Sequence, residues 1–410
     1  QDPAERRVTL AKLKVSDPDL AKEVEKLLVQ FDEAESFIEE PITPNAKGQV
    51  FAALFDDSAV DPLIGVTLGS YRIEREIGRG GMGAVYEATR SDGEFRRKAA
   101  VKVVKRGVDT DFVLRRFRNE RQILAALDHP FITRLIDGGT TEDGRPYFVM
   151  DLIDGVPLYS FADAKRLSLD DRLRLFCRIC QAVEYAHEKR IIHRDLKPSN
   201  IFVASDGSPR LLDFGIAKLL DADLASDTLQ PTATAVRMMT VDYASPEQVR
   251  GETITYASDV YSLGVILYEL LSGRRPYRVD SRNSLEAAKA VCDQEPLPPS
   301  QALDDRSLPT PKLRGSDSDP TGGELAEVRG GSPTDIENML AGDLDNIVLR
   351  ALRKLADERY QSAAEFRSDI ERYLGGESLD LIPFASFQNG RGSEDASKVL
   401  AVLPLSFLDP

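Results

Sequence analysis

Along the middle of the chain, short apolar runs alternate with polar residues and break at Gly, Asp and Pro. Tyr71–Ile77, Gly83–Arg90, Lys98–Val104, Leu135–Gly139 and Tyr147–Leu152 have this period-two pattern, which predicts strands. A helical segment at Asp111–Leu127 interrupts them. After Pro157 the spacing turns helical. Val260–Leu271 is apolar on nearly every face, which predicts a helix buried all round. Nearer the start, Ser16-Asp17-Pro18 has the residue types of a helix N-terminus. From there Leu20, Val24, Leu27, Leu28, Phe31, Ala34, Phe37 and Ile38 form a helical stripe that Pro41, Pro44 and Gly48 end. Such a stripe has to pack on something, either a neighbouring domain or a second chain.

The composition changes the picture in three ways. Residues 1–65 hold 14 acidic and 7 basic side chains, so almost half of the net −15 sits there. Residues 295–340, with 9 acidic and 4 basic side chains among many Pro, Gly and Ser, predict a long mobile insertion. The overall negative field disfavours nucleic acid as a main partner. Three Cys cannot build a disulfide framework and fit a reducing compartment. No stretch of 18 apolar residues or signal-peptide pattern is found, which predicts a cytoplasmic chain without a membrane span.

The candidate chemistry begins at Gly78-Arg79-Gly80-Gly81-Met82-Gly83-Ala84-Val85, a glycine-rich turn between two predicted strands. Glycines there let main-chain N–H groups approach phosphate oxygens. A Rossmann turn would lead straight into a helix, whereas Ala84–Ala88 alternates like a strand, so the turn reads as a flap over a nucleotide. Lys102 ends the next β-branched run and Glu120 lies eighteen residues on; taken alone, the two are ordinary surface charges. The informative run is Ile192-His193-Arg194-Asp195-Leu196-Lys197-Pro198-Ser199-Asn200-Ile201, with Asp213-Phe214-Gly215 thirteen residues after Asn200. An Asp to accept a hydroxyl proton, and an Asn and a second Asp to hold Mg²⁺ against phosphates, are what phosphoryl transfer requires.

Over about Tyr71–Leu374 these motifs, in this order, resemble the eukaryotic-like (Hanks-type) Ser/Thr protein kinases of bacteria. The resemblance implies an α+β, two-lobed protein kinase fold, with a β-rich small lobe, a helical large lobe and ATP between them. The predicted divisions are an acidic helical extension at 1–65, a small lobe at 66–153, a large lobe at 154–376 and a tail at 377–410. The tail's Lys398–Ser406 is similar to the opening of a TolB-like amino-terminal domain over a few residues, as if a further domain began there. The resemblance also implies roles. Lys102 would bind phosphates and pair with Glu120. Met150 looks like the gatekeeper, and Asp151 and Ile153 look like the hinge positions that face adenine. Ala100 and Phe202 complete the nucleotide-binding set. Asp195 would be the catalytic base, Lys197 a γ-phosphate contact, and Asn200 and Asp213 the Mg²⁺ ligands, with Mn²⁺ as a substitute ion. Glu247, in Ser245-Pro246-Glu247, would pair with Arg359, and Asp259 would hold the catalytic loop by its backbone.

Lys197 favours Ser/Thr acceptors over Tyr in this family. Met239 replaces the usual Gly before Thr240, a departure that bears on the substrate shelf. Pro157 and Ser199 stand where Arg-directed members carry acids, so a preference for basic residues upstream of the target is not implied. Arg194 marks kinases switched by a phosphate on the activation loop. Thr232 and Thr234 are the favoured switch sites over Ser226 and Thr228, while Thr240 serves the shelf. A scaffold without turnover would lack Lys102, Asp195 or Asp213, and all three are present. A small-molecule kinase fits less well, given the Ser-Pro-Glu segment. The partners implied are protein substrates and a homodimer through the N-terminal helix or small lobe. Cys177 and Cys180, in a helical run without a second pair, read as core residues rather than a zinc site.

Overall fold

The computed structural model describes residues 63–80, 83–93, 97–104, 127–213, 241–277, 284–310 and 320–379. All of them fall in one compact unit. The N-terminal extension to residue 62, Gly81, Met82, Glu120 with nearly all of its expected helix, Ser226, Thr228, Thr232, Thr234, Thr240 and the tail from 380 lie outside them.

Six antiparallel strands form the first sheet: β1 (Thr67–Leu68), β2 (Tyr71–Gly80), β3 (Gly83–Arg90), β4 (Lys98–Val104), β5 (Leu135–Thr140) and β6 (Pro146–Asp151), in the order β1-β2-β3-β4-β6-β5. Alternation puts Tyr71, Ile73, Tyr86, Ala88, Val101 and Val149 on one buried face. On the other face, Arg75 and Lys98 neutralise Glu87. The Lys98 hydrogen bond, with that of Arg75, holds the Glu87 carboxyl below its ordinary range against the upward push of burial. Beyond the sheet, β7 (Gly155–Pro157), β8 (Ile201–Ala204) and β9 (Pro209–Leu211) make a small antiparallel ribbon.

The helical region is built round two helices. In α2 (Leu169–Glu188), which follows the short α1 (Leu158–Ala164), Ser168 caps the Asp171 N–H, and Asp170 and Asp171 sit in the first turn. Next come α3 (Pro246–Arg250) and α4 (Tyr256–Ser272). Every residue of α4 from Ala257 to Ser272 is buried, and Gly273 ends it at φ +75°. Gly264 is needed at its centre: a Cβ there would lie 2.8 Å from that of Ala351. Ala351 belongs to α8 (Asp343–Ala351), which precedes α9 (Ala363–Leu374). Cys177 and Cys180 are buried in this core, and burial pushes the Cys177 thiol up to about 12.

The stretch 295–340 corrects its sequence reading, because its described residues are packed rather than looped out. Residues Pro299–Gln301 form a 3₁₀ turn, and α6 (Gly322–Glu327) and α7 (Pro333–Leu340) follow α5 (Ser284–Asp293). Capping boxes, Thr321 with Glu324 and Ser332 with Asp335, start α6 and α7. Leu303, Leu308, Ile336 and Leu340 enter the core. Arg329 is buried and donates to Leu271 O at 2.5 Å and Leu325 O at 2.7 Å, while Arg172 reaches Leu270 O at 3.1 Å and Val328 O at 2.9 Å. These guanidinium groups serve the C-terminal carbonyls of α4, which have no partner within the helix and carry its negative end.

Candidate active site

The glycine-rich turn is a β2–β3 hairpin, with Gly78 opposite Val85, Arg79 opposite Ala84 and Gly80 opposite Gly83. Its glycines answer to different constraints. Gly83 has φ +150°, and a Cβ there would lie 2.1 Å from Val103 O, so the protein itself excludes any other residue. Among the described residues nothing lies within 4 Å of a Cβ added to Gly78 or Gly80, so no described neighbour requires glycine there.

Register carries the cleft inward. Lys102 sits between Val85 and Phe148, and Ala100 pairs with Met150, which also pairs with Leu135. Met150 packs with Val104 and Phe148 in a small apolar cluster. The Asp151 N–H donates to Arg134 O at 3.1 Å, and its carboxylate pairs with Arg97. Ile153 has no main-chain hydrogen bond among the described residues. On β8, Ile201 and Val203 enter the core, so alternation turns Phe202 to the other side.

The polar groups form one connected chain. Lys102 Nζ lies 2.8 Å from Asp213 Oδ2. Beside Asp213, the Leu212 N–H donates to Asn200 O at 2.8 Å. Asn200 Nδ2 donates to Asp195 O at 2.9 Å and to Asp195 Oδ2 at 3.2 Å, and Lys197 Nζ lies 2.8 Å from that same oxygen. Thus Lys102, Asp213, Asn200, Asp195 and Lys197 are brought together. Glu120, expected to pair with Lys102, lies outside the described residues.

A second layer fixes this chain. Asp259, 1 % exposed at the start of α4, accepts from the His193 N–H at 2.7 Å, the Arg194 N–H at 3.0 Å and His187 Nε2 at 2.8 Å. Arg194 at φ +64° and Asp213 at φ +48° are left-handed non-glycine residues, held in costly conformations within this cluster of polar groups. Buried His193 accepts the Asp195 N–H at Nδ1 and so carries its proton on Nε2, 3.1 Å from Leu212 O. Burial lowers its pKa against the pull of Asp259 and Asp195, so the ring is neutral. Gln248 Nε2 donates to Arg194 O at 2.8 Å, tying α3 to the loop. Below α3, Arg359 grips Glu247 through two 2.8 Å hydrogen bonds, and Ser258 adds a third at 2.6 Å. Burial raises the Glu247 carboxyl, but Arg359 and Ser258 outweigh it and hold the pKa below its usual value.

The donors fit a nucleotide with a hard cation. Asn200 and Asp213 offer oxygen, as Mg²⁺ prefers. Among the described residues no group of three or more His, Cys, Asp and Glu could hold a metal by itself. No described helix is long and apolar enough to cross a membrane.

Comparison with known proteins gives one answer. The protein kinase domain model matches residues 71–313. The chain is 36% identical over 316 residues to the serine/threonine-protein kinase PknB of Mycolicibacterium smegmatis, covering 76% of this chain and 44% of that protein. It is 38% identical over 285 residues to PknA of Mycobacterium tuberculosis, covering 66% of this chain and 64% of that one. The chain thus spans less than half the length of PknB. Among solved structures, a double mutant of the Mycobacterium tuberculosis PknI kinase domain aligns with a TM-score of 0.52 at 24% identity. That alignment covers 77% of this chain and all of that one, and shows the same fold.

Proposed function

Because the chain belongs to the protein kinase family, as the match over residues 71–313 shows, we propose that it is a Ser/Thr protein kinase that transfers the ATP γ-phosphoryl group to protein hydroxyls and phosphorylates its own 214–240 segment. The observation that carries this reading is the unbroken chain from Lys102 through Asp213 and Asn200 to Asp195 and Lys197.

Each residue then has a task. The Gly78–Val85 hairpin covers the phosphates, and Ala100, Met150, Asp151, Ile153 and Phe202 border the base. Asp151 offers only its carbonyl, since its N–H is spent on Arg134. Lys102 neutralises the α- and β-phosphates. Asn200 and Asp213 would hold Mg²⁺, or Mn²⁺ in its place, which supplies charge neutralisation at the phosphates. Asp195 accepts the proton of the acceptor hydroxyl, while Lys197, beside it, meets the γ-phosphate. The acceptor oxygen forms the new P–O bond as the bond from the γ-phosphorus to ADP breaks. Asp259 fixes the backbone on which Asp195 is carried. Glu120, supported by the family resemblance, pairs with Lys102.

The proposed organisation keeps the small lobe at 66–153 and the large lobe at 154–376. Residues 1–65 act as an acidic docking or dimerising segment. A cytoplasmic site suits the three free cysteines.

The test is incubation with labelled ATP and Mg²⁺ beside an Asp195→Asn variant, with mass spectrometry of residues 214–240. Phosphate on Thr232 or Thr234 in the parent and none in the variant is the expected result. Absence of ATP binding would instead favour a scaffold of kinase shape.

A further inference from the structure

A buried charged node outside the reacting groups has no role so far. Glu269, on α4, has a side chain with no exposure, and its Oε2 accepts both the Tyr159 hydroxyl at 2.6 Å and the Tyr243 hydroxyl at 2.8 Å. Its Oε1 receives no hydrogen bond among the described residues and faces Arg275 Nε at 3.4 Å. Arg275 Nη1 lies 2.8 Å from Asp242 Oδ2, and the guanidinium stands 6.0 Å over the Tyr243 ring.

The location gives the node its meaning. Asp242 and Tyr243 lie in the 3₁₀ turn that leads into Ser245 and α3, the helix tied to Arg194 next to Asp195. On the kinase reading this is where the protein acceptor passes. The Arg275 and Asp242 side chains are 21% and 27% exposed, so the slot opens to solvent. Arg275 is held there from behind, its N–H donating to Pro309 O at 2.8 Å.

We propose that Arg275 determines acceptor specificity: it is a built-in cation that fills an acidic slot, formed by Asp242 and Glu269, which would otherwise take a basic side chain of the acceptor. This rests on the kinase reading. It means the parent enzyme has no anionic site here with which to select Arg or Lys.

The charged surroundings support a cation-shaped slot. Burial pushes the Glu269 carboxyl up to about 7 even though Arg275 and the two tyrosines pull it down, and Asp242 raises it further. Arg172 and Arg329 also approach this end of α4, but they spend their donors on main-chain carbonyls, including Glu269 O, and, for Arg172, on the Asp163 carboxylate at 2.7 Å. Without Arg275 the carboxyl rises further, so an incoming basic side chain has to recover its ionisation.

The test is a peptide library with a fixed Ser or Thr and randomised flanks, presented to the full chain, to Arg275→Met, to Arg275→Lys and to the double variant Arg275→Met/Glu269→Gln. The parent and Arg275→Lys are expected to show no enrichment of Arg or Lys. Arg275→Met is expected to gain about tenfold for a basic residue at one position, as close charge pairs at interfaces can supply. That gain should be larger at pH 8.5 than at 6.5, should be competed away by free guanidinium ion, and should vanish in the double variant. Unchanged preference in a folded Arg275→Met would overturn the proposal. So would a parent that already selects Arg or Lys tenfold at one position, a result that needs no variant. A parent that turns over no ATP and labels no peptide would overturn the kinase reading itself.

Discussion

Replacing Asp259 with Asn removes one charge and little volume from a position that carries the whole catalytic loop. Asp259 accepts three hydrogen bonds with its two oxygens, two from consecutive main-chain N–H groups and one from His187. Asn keeps one acceptor and turns an NH₂ group toward a donor that then has no partner. A buried hydrogen bond to a charged group contributes roughly 1.5–3 kcal/mol. With one bond lost and the remainder no longer charge-assisted, the variant should lose roughly 3 kcal/mol of stability. The same change releases Arg194 from φ +64°, a conformation that costs about 1–3 kcal/mol to hold. Its relaxation displaces Asp195, the next residue. A displacement of about 1 Å costs on the order of a hundredfold in rate. We therefore expect kcat for peptide phosphorylation to fall about a hundredfold while KM for ATP stays within about twofold, since Lys102 and Asp213 do not touch Asp259. Initial-rate kinetics at saturating ATP, with urea denaturation alongside, would check this. A kcat within about threefold of the parent would refute the reasoning, whatever the stability change.

Other consequences are equally direct. Gly83→Ala puts a Cβ 2.1 Å from Val103 O and should raise KM for ATP more than it lowers kcat, by displacing the hairpin; steady-state kinetics would read this. Arg359→Met leaves the buried Glu247 carboxylate without its cation and takes a donor from the carbonyls of Arg353 and Lys354, so urea denaturation at pH 7 should show a loss of about 3–5 kcal/mol. Because the folded pKa of Glu247 lies below its unfolded value, its contribution is complete above about 4.5 and is lost as pH falls through the folded value. The parent should therefore lose stability on acidification by an amount that Arg359→Met does not show. Glu269 has the opposite sign, its pKa being raised from 4.5 to about 7. Stability is fully present below 4.5 and declines by roughly 3 kcal/mol as pH rises to 7 and beyond, a slope that Glu269→Gln should flatten.

What the sequence made legible follows from how local each signal is. The ends of β3 and β4 match the predicted strands residue for residue, because an apolar residue stands at every second position, Ala84, Tyr86 and Ala88 in one and Ala99, Val101 and Val103 in the other. The buried helix was readable because no polar stripe breaks Val260–Leu271. The 295–340 stretch was misread because its packing depends on arginines. Composition registers Arg329 as charged surface, yet its partners are the carbonyls of Leu271 and Leu325. The Thr321/Glu324 and Ser332/Asp335 spacings were available as helix-start signals. Glu269 was missed for a different reason: its partners lie 26 and 110 residues away, and nothing in an apolar run announces them.

The all-round burial of α4 also has a consequence during synthesis. Every catalytic motif up to Asp259 leaves the ribosome before Ala351 can cover Gly264 and before Arg359 can neutralise Glu247. About 90 residues separate Ser272 from Tyr360, and at roughly 5–20 residues per second they take on the order of 5–20 seconds to make. Throughout that interval α4 has α2 beside it but lacks the cover that Ala351 gives its Gly264 face. A ribosome stalled between residues 272 and 343 would therefore release a polypeptide with Asp195, Asn200 and Asp213 already made and the Gly264 face of its central helix still uncovered.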